Sequence, residues 1–182
     1  MAISKLKYDT GMHLSLETSR LNLRKIIPSE DDLMVYLSWL RDTQHNSFIQ
    51  SARSDYSLPE LIHFIDSMNS DQNVLLLGIF LKGIREKFIG TLKVQPIDLS
   101  KSTAWLGIMI GSPESRGLGY GREALHEVLN YLFKSLKLHE VFLGVDFKNI
   151  AAISLYKKLG FNEHSRNEYS MVMVKRVSPD FE

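Results

Sequence analysis

The stretch IMIGSPESRGLGYGR, residues 108–122, runs from an apolar segment through a glycine-rich turn into a segment of helical periodicity. Glycine lets the backbone approach a ligand closely and adopt conformations that other residues avoid. The first N–H groups of a helix lack partners within it, and with the positive end of the helix dipole they attract anions. Arg116 and Arg122 add positive charges suited to phosphate. The stretch therefore predicts a phosphate site at the start of a helix.

The spacing of the glycines distinguishes this loop from two common nucleotide-binding motifs. A dinucleotide-binding fingerprint requires G-x-G-x-x-G early in the chain, whereas Gly117, Gly119 and Gly121 alternate and lie well past its middle. A nucleoside-triphosphate P-loop requires G-K-[ST], which is missing here. Taken alone, the loop leaves one further alternative, a glycine-rich turn that binds no ligand.

Apolar periodicity before the loop predicts strands and helices in alternation. Residues 20–26 alternate as in a half-buried strand, and residues 74–80 form a continuous apolar run typical of a buried one. We expect Ser29 to cap a first helix with Asp31 and Asp32 in its first turn.

The remaining elements follow the same two patterns. A second helix is expected after Ser57, with Pro59 at its first position. Further strands are predicted at 88–94, 103–110, 141–145, 161–165 and 169–174, and further helices at 118–136 and 150–159. With no internal repeat or linker, the order of these elements predicts a single α/β domain.

Composition and charge exclude several classes of function. The chain has 182 residues, 44% hydrophobic and 24% charged, as expected of one globular domain. A net charge of +1 argues against a globally basic nucleic-acid binder. The lack of cysteine excludes a disulfide framework, a thiolate nucleophile and a thiolate metal site. No apolar run approaches the ~18 residues of a membrane span and no signal-peptide pattern is present, so we expect a cytoplasmic protein without membrane contact.

Two motifs in the C-terminal half resemble the signatures of the GNAT superfamily of N-acetyltransferases. Arg116-x-x-Gly119-x-Gly121 is similar to its acetyl-CoA motif, R/Q-x-x-G-x-G/A. The segment N-x-x-A-x-x-L-Y-x-x-L-G-F at 149–161 is similar to its second signature. Residues 17–24 and 36–42 resemble the branch that contains ribosomal-protein N-terminal acetyltransferases. The resemblance covers about residues 17–176, leaving 1–16 as an N-terminal arm and 177–182 as a C-terminal tail.

The fold implied by this resemblance is an open, mostly antiparallel seven-stranded sheet flanked by about four helices. Its central fourth and fifth strands, here Thr103–Ile110 and Glu140–Asp146, splay apart and admit the pantetheine arm of the cofactor. Gly107 marks either a bulge in the fourth strand or a close packing contact.

The activity implied is direct transfer of an acetyl group from acetyl-CoA to a primary amine in a ternary complex, with neither an acyl-enzyme nor a metal. Tyr156 matches the tyrosine that protonates the CoA thiolate, and a phenol of pKa ~10 can donate to a thiolate whose thiol has pKa ~8.5. The alternative is that its ring packs beside Leu155 and Leu159. The implied cofactor-binding residues, the first two through their main chain, are Met109, Ile110, Arg116, Gly117, Leu118, Gly119, Tyr120, Gly121, Arg122 and Asn149. Asn149 is also a candidate N-cap for the helix that follows it.

The sequence differs from the family pattern at the position of the general base. Many members have a glutamate on the fourth strand, where this sequence has Ala-Trp-Leu-Gly at 104–107, with Trp105 inside it. The alternative proton relays are Asp42, His45, Glu86, His139 and Asp146. An α-amine of pKa ~8 is about one-tenth neutral at pH 7, whereas a lysine of pKa ~10.4 calls for a dedicated base. The missing carboxylate therefore favours an acceptor amine of low pKa.

The acceptor stays open between a small amine, an aminosugar and a protein N-terminus. Aromatic candidates for its pocket are Trp39, Phe48, Tyr56 and Phe64, and residues 51–57 are a candidate mobile loop over the site. A monomer and a homodimer are both compatible with the sequence. The alternative function is a CoA-binding sensor or interaction module with little catalysis.

Overall fold

The computed structural model describes residues 14–42 and 55–177, which form one sheet with helices on both faces. The strands are β1 (Ser15–Glu17), β2 (Leu21–Lys25), β3 (Leu75–Leu81), β4 (Lys87–Asp98), β5 (Thr103–Ile110), β6 (Glu140–Asp146), β7 (Asn162–Arg166) and β8 (Ser170–Arg176). The helices are α1 (Leu33–Arg41), α2 (Leu58–Ser70), α3 (Tyr120–Asn130) and α4 (Ile150–Lys158). The predicted roles of His45, Phe48 and most of residues 51–57 lie outside the described ranges.

The strands follow the spatial order β1-β2-β3-β4-β5-β6-β8-β7, and within the described ranges every neighbouring pair is antiparallel except β5 with β6. This confirms the predicted α/β class and mostly antiparallel sheet. The described residues contain eight strands rather than seven, because Ser15–Glu17, placed partly in the expected arm, pairs with β2 through Leu16 and Leu23. A strand of three residues is too short to show a period in sequence.

The first helix begins later than expected, so the prediction that Ser29 caps it is wrong. Asp32 is the N-cap, and its carboxylate accepts a hydrogen bond from the Val35 N–H at 3.1 Å. Asp31 instead forms an ion pair with Arg24 at 2.8 Å. Because that ion pair fixes Asp31 beside the sheet, the chain enters the helix only after it.

The second helix begins as predicted. Ser57 is its N-cap and forms a capping box with Glu60, and Pro59 lies in the first turn. A capping box satisfies two N–H groups that the helix leaves without partners. This helix packs with α1 on one face of the sheet, where the core includes Leu37, Leu61 and Phe80 among others. On the opposite face the core is formed by residues of α3 and α4 against the strands.

The third helix is shorter than the predicted 118–136 segment. Regular α-helix ends at Asn130, and a π-helical turn, Tyr131–Ser135, continues it. The apolar stripe of the sequence runs through both parts, and Leu125, Val128 and Leu132 are fully buried. The stripe therefore identifies the buried face correctly but does not reveal the change of winding.

The centre of the sheet opens between β5 and β6. In the described chain their parallel pairing comprises three residue pairs, from Thr103 with Glu140 to Trp105 with Phe142. Beyond Trp105 the two strands separate, which confirms the predicted splay.

An irregularity in the ladder lies beside this opening, but on the strand opposite to the expected one. Gly107 pairs in regular register with Lys93, so it forms no bulge in β5. Instead the register shifts between Val94 and Ile97 of β4, where two residues of β4 lie opposite Trp105. A Cβ atom added to Gly107 would meet nothing within 4 Å, so this glycine opens space rather than permitting a close contact.

Candidate active site

The glycine-rich loop reaches α3 through two residues of left-handed backbone. Gly117 has a φ of 74° and Gly119 a φ of 84°. Residues with a side chain adopt this region at a cost, so glycine suits both positions. Gly119 is the N-cap of α3, and no side chain of the described residues caps the helix there. A helix start of this kind attracts anions, so the geometry is compatible with the predicted phosphate site.

Arg116 has a structural task inside this loop. Its guanidinium Nε donates to the Ile110 carbonyl at 2.9 Å, and Nη2 donates to the Gly111 carbonyl at 3.1 Å. These bonds tie the end of β5 to the beginning of the loop. Arg122, in contrast, is exposed in the first turn of α3. Its charge is available to solvent at the helix N-terminus.

The turn between β1 and β2 contacts the glycine-rich loop and the first turn of α3. The Arg20 guanidinium forms an ion pair with Glu123 at 2.6 Å and lies over the Tyr120 ring, 4.4 Å from its centroid. Arg20 Nη1 also donates to the Leu118 carbonyl at 3.1 Å. The Thr18 hydroxyl donates to the same Glu123 carboxylate at 2.5 Å.

These contacts make Arg20 and Glu123 part of the loop's support, a role that the sequence analysis missed. Hydrogen bonds from Thr18 and Arg20, with the charge of Arg20, outweigh the desolvation of Glu123 and lower the pKa of its carboxyl. The acidic group in the first turn of α3 is thus neutralised by Arg20 rather than facing the anion site uncompensated. In the sequence, the two residues are visible only as a basic residue near the start of the domain, Arg20, and an acidic residue two positions after Gly121, Glu123.

The backbone of β5 presents alternate peptide groups to the opening. The Gly111 N–H donates to the Ile89 carbonyl at 3.0 Å, which sets the alternation of the antiparallel ladder. By that alternation Met109 faces Thr91 of β4 with its peptide groups, whereas Ile108 and Ile110 turn theirs toward β6. Of the two residues expected to offer main-chain groups to pantetheine, Ile110 is the one directed at the gap. Because its carbonyl already accepts a hydrogen bond from Arg116, the group that it offers is its N–H.

Asn149 and Tyr156 reach the opposite side of the gap from α4. The Asn149 side chain caps this helix by accepting a hydrogen bond from the Ala152 N–H at 3.1 Å. Both residues line the cleft. Tyr156 is 8% exposed, and its ring centroid lies 5.9 Å from that of Phe161. Burial raises the pKa of Tyr156 to about 12, so its hydroxyl keeps the proton at neutral pH.

A cleft of about 850 Å³ extends from this gap over the face of the sheet that carries α1 and α2. Residues of β4, β5 and β6 form its floor, and helix residues and the turn before β8 form its walls. The described lining residues on the acceptor side include Tyr36, Leu40, Phe64, Leu76, Thr91, Lys93, Gln95, Trp105, Gly107, Gly144, Asp146, Tyr169 and Ser170.

The aromatic candidates divide between this cleft and the core. Phe64 lines the cleft, and so does Tyr36, which is not among the aromatic residues expected there. Burial raises the pKa of Tyr36 to about 12 against the opposing effect of its hydrogen bond with Thr91. Trp39 is instead a core residue, packed 5.1 Å from Phe88 between ring centroids.

Of the candidate bases within the described ranges, Asp146 is the one that lines the cleft. One of its carboxylate oxygens accepts a hydrogen bond from the Lys148 N–H at 2.7 Å. Glu86 forms an ion pair with Arg24, away from the cleft. His139 precedes β6 at the end where β5 and β6 are still paired. Asp42 ends α1 and is not among the residues that line the cleft within the described part of the chain.

Within the described ranges, no group of three or more His, Cys, Asp or Glu side chains is arranged to hold a metal ion. No helix there has the length and apolarity to cross a membrane.

The fold and the cleft define an acetyl-CoA-dependent N-acetyltransferase, and comparison with known proteins places it in a family. Residues 20–162 match the family described as Acetyltransferase (GNAT) domain, and the chain belongs to that family. This confirms the predicted family, enzyme class and cosubstrate.

Individual relatives agree with this assignment. Over 173 residues the chain is 28% identical to alpha/beta-tubulin-N-acetyltransferase 9 of Drosophila melanogaster, covering 92% of this chain and 77% of that protein. The structure of spermidine N-acetyltransferase from Vibrio cholerae in complex with CoA and spermine matches with a TM-score of 0.76 at 23% identity, covering 87% of this chain and 96% of that one. A GNAT-family acetyltransferase from Bacillus anthracis gives a TM-score of 0.77 at 16% identity, with coverage of 90% and 98%.

Proposed function

We propose that this enzyme transfers the acetyl group directly from acetyl-CoA to a primary amine, with the pyrophosphate at residues 116–122 and pantetheine between β5 and β6. The left-handed glycines and the uncapped start of α3 support the pyrophosphate site. The separation of β5 from β6 beyond Trp105 supports the pantetheine site. The Drosophila and Vibrio proteins are named for acetylation of tubulin and spermidine, which supports an amine acceptor.

In the proposed reaction the neutral amine attacks the thioester carbonyl, a C–N bond forms and the C–S bond breaks. Tyr156 donates its phenolic proton to the departing thiolate and is reprotonated from solvent, while the new amide loses its extra proton to water or to Asp146. The observation that carries this role is the position of Tyr156, which is buried at the edge of the opening and still lines the cleft. Burial raises the pKa of Tyr156 to about 12, so the phenolic proton is in place at neutral pH. The same burial disfavours a thiolate held beside the phenol, which favours proton transfer to the departing sulfur.

The substitution Tyr156→Phe tests this role because it removes only the hydroxyl. We expect kcat to fall by ~10²-fold or more, as for a positioned proton donor, while acetyl-CoA affinity and melting temperature stay close to those of the parent enzyme. Thiol release, titration calorimetry and thermal unfolding measure the three quantities. Equal turnover at equal stability would remove Tyr156 from the mechanism and leave its ring as packing against Phe161.

The pH profile of kcat/KM gives a second test of the same assignment. Burial raises the pKa of Tyr156 to about 12, so the proton that it donates is present below that pH and is lost only above it. We therefore expect kcat/KM to rise with pH as the acceptor amine loses its proton, and then to level off. A descending limb with an apparent pKa near ~10 would indicate an ordinary, exposed tyrosine as the acid instead.

The acceptor in this proposal is a small amine, an aminosugar or a protein N-terminus with an amine of low pKa. The presence of Trp105 where many relatives have a carboxylate supports an amine that needs no strong base. We propose a cytoplasmic location for the reaction, in line with the expectation from the sequence. Fractionation of cells that express the chain, followed by an acetyl-CoA turnover assay on each fraction, checks this location.

A further inference from the structure

A lysine whose side chain has no partner among the described residues faces the acceptor side of the cleft. Lys93 lies on β4, is partly buried and lines the cleft. Its ammonium group forms no hydrogen bond or ion pair with any residue in the ranges 14–42 and 55–177. Partial burial of a cation without a counter-charge is unfavourable, so an anionic group bound beside it would offset that cost.

The single carboxylate among the described lining residues lies on a different strand. Asp146 is at the end of β6, whereas Lys93 pairs with Gly107 in the β4–β5 ladder. Two strand spacings of about 4.8 Å separate β4 from β6, so their backbones are roughly 10 Å apart, or more where the sheet opens. An acceptor that meets both groups therefore carries its amine and its anion on a frame larger than that of an α-amino acid.

The floor between these two charges is open at two glycines. Cβ atoms added to Gly107 and Gly144 would meet none of the described residues within 4 Å. Beside this floor the Trp105 indole is 41% exposed. Phe142 stacks on it with ring centroids 5.5 Å apart at 25°, so the exposed part is the other face and edge of the indole. An exposed indole beside an open floor suits the apolar face of a sugar ring.

We propose that the acceptor is an amino sugar that carries a phosphate ester. Its ring lies against Trp105, its phosphate binds Lys93, and its amine points toward pantetheine and Asp146. This inference rests on the proposed function and specifies its acceptor. A polyamine is disfavoured, because Lys93 repels a polycation and the described part of the cleft offers one carboxylate to attract it.

The test compares kcat/KM for matched acceptors: glucosamine, its two monophosphates (on C1 or C6), spermidine and a short peptide with a free N-terminus. For the parent enzyme we expect one of the sugar phosphates to exceed glucosamine by about tenfold or more, equivalent to about 1.4 kcal/mol. In Lys93→Met, which keeps the unbranched apolar stem and removes the charged end, that ratio should fall to near one. In Lys93→Glu it should fall below one.

A matched control separates this charge effect from a general loss of lysine. Lys101 lies in the turn after β4 and pairs with Asp98 at 3.1 Å, outside the described lining of the cleft. Lys101→Met should keep the parent ratio. Acetyl-CoA affinity and melting temperature of all variants, measured alongside, verify that each is folded.

The outcomes distinguish failure of the acceptor inference from failure of the proposed function. If amines release thiol from acetyl-CoA but neither phosphate raises kcat/KM over glucosamine, the acceptor inference is overturned and the proposed function stands. Higher kcat/KM for spermidine or the peptide than for every sugar phosphate also overturns it, as does a parent-like ratio in a folded Lys93→Met. If no amine in the panel supports thiol release by the parent enzyme, the proposed function itself is contradicted.

Discussion

The two ends of the cleft are built in contrasting ways. At the cofactor end the charged groups of the loop support are paired: Arg20 binds Glu123 at 2.6 Å, and Arg116 binds the Ile110 carbonyl at 2.9 Å. At the acceptor end Lys93 has no partner among the described residues, and the floor at Gly107 is open. The cofactor end is held in place by its own hydrogen bonds, whereas the acceptor end leaves the Lys93 ammonium group to the ligand.

This difference explains why the sequence motifs identify the cofactor site of the enzyme and not its acceptor site. Acetyl-CoA is common to the family, and a site made of backbone N–H groups and glycines depends little on side-chain identity. In the proposed site the acceptor is bound by side chains, which only the fold brings together. A motif can therefore identify the cofactor end, whereas the acceptor end requires the three-dimensional arrangement of residues such as Lys93 and Trp105.

The largest effect on ligand affinity is expected from placing a negative charge at the cofactor end of the cleft. Gly119→Asp puts a carboxylate at the N-cap of α3, where the pyrophosphate is proposed to bind, and we expect acetyl-CoA affinity to fall by ~10²-fold or more. Gly119→Asn is the matched control, because it has the same shape without the charge and asparagine tolerates left-handed backbone. Titration calorimetry on both variants measures the affinities. Wild-type affinity in Gly119→Asp would show that the pyrophosphate binds elsewhere.

A smaller effect is expected from loosening the support of the same loop. Arg20→Leu removes the ion pair with Glu123 and the bond to the Leu118 carbonyl, so the loop loses its fixed position. We expect acetyl-CoA affinity to fall about tenfold, with kcat at saturating acetyl-CoA reduced less.

The control for this variant is Arg176→Leu, which breaks an exposed ion pair with Glu140 of 2.6 Å at the far end of β6. Exposed pairs contribute little to stability, so this variant should bind acetyl-CoA like the parent. Equal losses of affinity in both variants would mean that Arg20 acts through overall stability and does not position the loop.

The smallest effect is expected at Asp146. Because an acceptor amine of low pKa is partly neutral without help, Asp146→Asn should lower kcat/KM only about threefold, a loss that shrinks as pH rises. The pH dependence of kcat/KM for the variant and the parent measures this. A loss of ~10²-fold at neutral pH would instead identify Asp146 as a dedicated general base.

The sequence predicted the architecture where its signals were long or local. The run at 103–110 coincides with β5, and the Ser57 cap with Pro59 fixes the start of α2. The sequence did not predict the start of α1, because a tertiary contact determines it. Ser29 does not cap α1, since the ion pair with Arg24 holds Asp31 outside the helix.

The candidate site was predictable to a similar extent. The loop and Tyr156 follow from motifs in the chain, but the role of Arg20 depends on a contact with Glu123, which lies 103 positions away. The importance of Lys93 depends on its having Gly107 as a cross-strand neighbour and no counter-charge in the described residues. Neither relation is encoded by local spacing, so neither is visible without the fold.

Where β5 and β6 separate, two strands inside the sheet have the unpaired backbone groups of edge strands. Past Trp105 each of the two strands presents backbone donors and acceptors sideways, as an edge strand does, and edges of this kind pair readily with foreign strands. Pantetheine, with two amide groups along its length, can occupy such an edge as a short strand would. Acetyl-CoA in the proposed site would then act as a folding ligand as well as a cosubstrate, adding about 2.7 kcal/mol of stability at a hundredfold excess over its Kd. Self-association of the protein should accordingly diminish as CoA is added.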